Sequence, residues 1–126
     1  MRLAVDTNTL VGELLRTRGR DYMLQAPHTY FLSERVLSET HYELPRRATR
    51  MIAGGAVGPR IQANLALALR IVAEQTTVIS TALLRPYEQE ARLRIPRDPD
   101  DWELVAVALL TGADIWTNDA VWVVGW

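Results

Sequence analysis

Four stretches of this chain carry carboxylates beside apolar residues. Asp6 closes RLAVD, Glu39 lies in SERVLSETHYEL, Asp100 and Asp101 precede the apolar run of RDPDDWELVAVALLTG, and Asp119 follows ADIWTN. Carboxylates gathered at one place repel and raise one another's pKa values unless a cation neutralises them. A donor set made only of oxygen suits Mg²⁺ or Mn²⁺ rather than zinc or copper. Such an ion activates water and clamps the charge that develops on a phosphodiester, so the chemistry indicated is hydrolysis without a protein nucleophile.

Each acid also has a local explanation. Asp6 is a good helix cap, and Asp100 and Asp101 suit the acidic first turn of a helix. Glu39 reads as a solvated helix charge, and Asp119 sits in turn chemistry, Thr-Asn-Asp. Only their convergence would give them a common purpose, and convergence depends on the elements that carry them.

RLAVD reads as a strand, and Asp6 caps a helix over NTLVGELLRTR with Leu10, Val11, Leu14 and Leu15 on one face. HTYFLS (28–33) is a second strand, and Ser33 caps the helix that carries Glu39. At 100° per residue Val36, Leu37, Thr40 and Leu44 form its buried face, with Glu39 and Glu43 on one border. Pro45 is expected to end or bend it, followed by a short helix closed by Gly54 and Gly55. Pro59 opens a longer helix to Gln75, TVIST (77–81) is a third strand, and a helix lies around 85–94. DPDDWELVAVALLTG predicts a buried helix with Asp98 as N-cap, Pro99 at N1 and Gly112 at its end. ADIWTND is the fourth strand, leaving AVWVVGW for a shortened last one. Strands alternating with helices imply one α/β domain over 1–126, a parallel sheet covered on both faces. In such sheets sites lie outside the carboxyl ends of the strands, where Asp6 and Asp119 fall.

At 126 residues, with 48% hydrophobic and 23% charged residues, the chain is long enough for one buried core. Neither a membrane span nor a signal peptide is visible, and a chain without cysteine fits a reducing cytoplasm. The net charge of −1 neither announces nor forbids a nucleic-acid partner. All fourteen basic residues are Arg. Without Lys the chain cannot be a P-loop NTPase or a Schiff-base enzyme.

The opening VDTN, LSERVLSETHYELPRR, RDPDDWELVAVALLTG and IWTND together resemble the PIN domain, the metal-dependent nuclease fold of VapC-type toxins. The resemblance covers essentially the whole chain. It implies a three-layer α/β sandwich whose central parallel sheet has four or five strands. It further implies that Asp6, Glu39, Asp101 and Asp119 hold one or two Mg²⁺ or Mn²⁺ ions and hydrolyse RNA, with Asp100 the rival of Asp101. Asn8 and Thr117 would support these ligands, and Arg46, Arg47 and Arg50 are the best candidates to grip RNA. A homodimer and a cognate antitoxin are implied partners. Two other classes remain: a silent PIN scaffold that binds RNA or protein, and a small-molecule phosphatase, whose usual Asp-x-Asp pair is missing because Thr7 and Asn8 follow Asp6.

Overall fold

In the computed structural model, residues 1–95, 99–117 and 120–122 are described. Strand β1 (Arg2–Val5) leads through Asp6 into α1 (Thr7–Leu14), followed by α2 (Thr17–Gln25) and β2 (Thr29–Ser33). Helices α3 (Glu34–Ala53) and α4 (Gly58–Gln75) form a long hairpin that returns to β3 (Thr76–Ile79). A short α5 (Thr81–Leu84), a 3₁₀ turn and α6 (Glu88–Arg94) precede a second 3₁₀ turn over Pro99–Asp101. Then come α7 (Trp102–Thr111), β4 (Asp114–Thr117) and β5 (Ala120–Trp122).

The sheet order is β3-β2-β1-β4-β5. The first four strands are parallel, and β5 pairs antiparallel with β4 at the edge. This is the expected α/β sandwich with a four-stranded parallel centre. Its two cores follow from strand alternation. Leu3, Val5, Tyr30 and Leu32 face α1 to α4, whereas Ala4, Phe31 and Ile115 face α5 to α7.

Several boundaries differ from expectation. The first helix is two: α1 stops at Leu14, and α2 begins at Thr17. Gly19 lets α2 approach α1 closely, since a Cβ there would stand 2.1 Å from the Glu13 carbonyl oxygen. The buried Arg20 donates to the Leu14 carbonyl at 2.9 Å and to Thr17 Oγ1 at 3.2 Å, filling the backbone acceptor at the break. Pro45 does not end α3, which continues to Ala53. The proline forfeits one backbone bond, but Val36, Thr40, Leu44 and Ala48 recur every four residues as one buried stripe across it. Gly55 supplies the left-handed turn after it, at φ +103°.

Helix α7 begins three residues later than DPDD suggested. Asp101 takes the N-cap position without a side-chain cap bond, and Pro99–Asp101 is 3₁₀. Asp98 lies outside the described residues. Trp102, Val105, Ala106, Val107 and Ala108 are buried, as its composition demanded, and Gly112 ends it at φ +71°.

Candidate active site

The strand order reverses direction at β1. From there the chain steps one way to β2 and β3, and later returns to the other side of β1 as β4. Such a switch point opens a crevice at the carboxyl ends of the strands, and Asp6 stands there as the first residue after β1. Its Oδ1 accepts the Thr9 backbone N–H at 2.8 Å, so the capping reading is correct. Its Oδ2 accepts a hydrogen bond from the Thr117 hydroxyl. The parallel register that sets Val5 beside Trp116 brings these residues together across 111 positions of chain. Thr117, expected to support the acids, thus touches Asp6 directly.

A cleft of about 140 Å³ opens beside Asp6. Its carboxylates come from three segments: Asp6 after β1, Glu39 on α3, and Asp100, Asp101 and Glu103 at the start of α7. Asn8 also lines it. Ser33 caps α3 by accepting the Val36 N–H at 3.1 Å, which fixes the entry of the helix that carries Glu39. Arg35, one turn before Glu39, donates from Nε to Glu39 Oε1 at 3.1 Å and from Nη1 to the Asp100 carbonyl at 2.8 Å. The guanidinium thus joins the α3 wall of the cleft to the α7 wall.

Three of the four expected acids share this cleft, and Asp100 accompanies Asp101. Asp119 lies outside the described residues. Among the described residues no three acidic or histidine side chains are close enough together to hold a metal ion. Glu39 instead engages Arg35. The donor chemistry still fits a hard divalent cation, because every acid here offers oxygen alone. Glu103 is the residue that sequence reasoning passed over. Among the described residues one of its carboxylate oxygens is buried without a hydrogen-bond partner, while the residue lines the cleft. Its signal was the single charge inside the otherwise apolar run WELVAVALLT.

The arginines of the described residues fall into separate groups. Arg16 pairs with Glu13, and Arg20 is structural. Arg92 and Arg94 pair along α6 with Glu88 and Glu90 at 3.1 and 2.9 Å. Among the three candidates on α3, Arg47 pairs with Glu43 at 3.5 Å. Arg46 donates to the Tyr42 hydroxyl at 2.7 Å with its guanidinium carbon 5.1 Å from that ring's centre. Arg46 and Arg50 are exposed. Trp116 and Trp102 are both buried in the core, so neither can serve as a base-stacking surface. The side chains of Trp122 and Trp126 lie outside the described set.

A PIN domain family model matches residues 4–125. Among solved structures, the chain is similar to one in the VapBC2 complex from Rickettsia felis bound to a DNA fragment from their promoter. That match has 20% identity, a TM-score of 0.58, and covers 94% of this chain and 88% of that one. It extends the agreement to the fold. Curated proteins give no match. A family match spanning all but the first three residues and the last one, on a fold whose carboxylates line one cleft at the switch point, shows that the chain belongs to the PIN domain family.

Proposed function

We propose that the chain is a metal-dependent endoribonuclease of the VapC-like toxin kind. The observation that carries this reading is the convergence of Asp6, Glu39 and Asp101, from three segments far apart in sequence, on one cleft at the carboxyl edge of the sheet. Asp6, Glu39, Asp101 and Asp119 would hold Mg²⁺ or Mn²⁺. Such an ion supplies a polarised water and a counter-charge for the phosphodiester. Thr117 fixes one oxygen of Asp6 and the Thr9 N–H fixes the other, so this carboxylate is oriented before anything binds. Asn8, two residues beyond Asp6 and lining the same cleft, would hydrogen-bond an incoming water or phosphate oxygen. Of the three candidate arginines in the second half of α3, Arg46 and Arg50 suit RNA phosphates best, since Arg47 is spent on Glu43.

The similar Rickettsia felis structure is a VapBC complex. By analogy, an antitoxin that covers the acidic cleft is the partner we propose, with a homodimer as the working assembly and the cytoplasm as its place. No helix among the described residues is long and apolar enough to cross a membrane.

The test is cleavage of a mixed cellular RNA pool with Mn²⁺, comparing wild type with Asp6→Asn. Cuts by wild type that need the metal and vanish in the variant are expected. Equal cleavage by both would defeat the reading, and silence from both with intact RNA binding would favour a scaffold that binds without cutting.

A further inference from the structure

Five carboxylates line the cleft, and among the described residues that line it Arg35 is the sole cationic side chain. An anionic RNA backbone entering such a cleft meets repulsion that only a cation can relieve. Arg35 is built into both walls. Its Nε–H is given to Glu39 at 3.1 Å and an Nη1–H to the Asp100 carbonyl at 2.8 Å. A guanidinium has five N–H donors, so three remain after these two bonds. The contact with Glu39 is the weaker tie: both side chains are about half exposed (50% and 46%), the i,i+4 surface arrangement whose net worth is small. The bond to the carbonyl spans 65 positions of chain and anchors the head group at the mouth whatever Glu39 does.

Resting on the nuclease reading above, we propose that Arg35 is a positioning residue with two alternating duties. Without metal it is the resident counter-cation of Glu39. With metal bound it yields Glu39 to the ion, stays tethered to the Asp100 carbonyl, and turns its spare donors to a phosphate of the RNA beside the scissile bond. The site thereby exchanges an internal cation for an external one, and the freed cation becomes part of the substrate grip. Guanidinium forks suit this second duty because they meet two phosphate oxygens at once.

The test uses the full chain with Arg35→Gln and Arg35→Lys. Mn²⁺ affinity is read by titration calorimetry without RNA, and KM and kcat on an RNA that the wild type cleaves. Removing the competing charge should tighten Mn²⁺ binding by Arg35→Gln roughly two- to ten-fold. Its KM for RNA should rise by roughly ten-fold or more while kcat changes less. The slope of log affinity for single-stranded RNA against log salt should shrink by about 0.7, the share of one phosphate contact. Arg35→Lys keeps the charge, so its Mn²⁺ affinity stays near wild type, and it recovers part of the RNA affinity. A purely structural tether predicts the opposite sign, since loosening the two walls would weaken metal binding. Mn²⁺ affinity in Arg35→Gln equal to or below wild type overturns the proposal, as does an unchanged KM. If Asp6→Asn still weakens Mn²⁺ binding in that case, the nuclease reading survives. A wild type that binds no Mn²⁺ sinks both.

Discussion

Asp6 combines a structural and a chemical duty, and two substitutions can separate them. One carboxylate oxygen caps α1 through the Thr9 N–H, and the other accepts the Thr117 hydroxyl. Asp6→Ala removes both acceptors. The lost cap costs about 1 kcal/mol, and the lost hydrogen bond to a charged acceptor adds about 1.5 kcal/mol. Asp6→Ala should therefore lower stability by about 2–3 kcal/mol. For a chain of this size that is roughly 4 °C in Tm per kcal/mol, or about 10 °C in all. Asn is as good an N-cap as Asp. Its amide can donate to the Thr117 oxygen once that hydroxyl rotates. Asp6→Asn should thus stay within about 1 kcal/mol of wild type in urea unfolding. Both variants should lose RNA cleavage to the same extent, because both lose the negative charge. Unfolding curves that place Asp6→Asn with Asp6→Ala would refute the separation, since the charge itself would then be holding the fold. An Asp6→Ala variant as stable as wild type would refute the capping account.

Two further outcomes test the packing. Gly19→Ala drives a Cβ into the Glu13 carbonyl and should cost about 3 kcal/mol or more, read as a lowered urea midpoint; a loss under about 1 kcal/mol would mean that α2 slides freely against α1. Tyr30 is buried with its hydroxyl unpartnered among the described residues, and burial chiefly, with Tyr22 and Glu13 nearby, pushes its pKa up to about 12. The native state therefore keeps this proton when the unfolded chain gives it up. The stability this provides is complete below pH 10 and is lost as pH rises from 10 to about 12. Tyr30→Phe keeps the ring beside Trp116, so stability at pH 7 should hold or rise by about 1 kcal/mol. The alkaline decline should flatten in chemical unfolding at pH 9 to 12, and an unchanged decline would contradict the assignment.

Sequence patterns with local causes were legible. Asp6 and Ser33 are caps because short polar side chains reach the N–H groups of the next turn. The apolar interior of α7 and its Gly112 terminus needed no tertiary knowledge. Features decided by tertiary contact were hidden. Pro45 argued for an end or a bend, but a buried stripe four residues in period carries α3 on past it to Ala53. The division of α1 from α2 depends on Arg20 satisfying a carbonyl, which no periodicity announces. At the site, Asp6, Glu39 and Asp101 could be named from order and resemblance, and the structure gathers them at one cleft. Arg35 and Glu103 escaped notice because their interest lies in partners: one bridges segments 65 residues apart, and the other hides an oxygen unpaired among the described residues.

The proposed reaction is hydrolysis by water at an acidic cleft, without a protein nucleophile. Its most direct test is Mn²⁺-dependent cleavage of RNA in H₂¹⁸O, with mass analysis of the cut ends and Asp6→Asn in parallel. Attack by water should leave one ¹⁸O in the phosphate at each new end under single turnover, with no cyclic phosphate and no product from the variant. Cyclic phosphate ends without label, or labelled ends from Asp6→Asn as well, would contradict it.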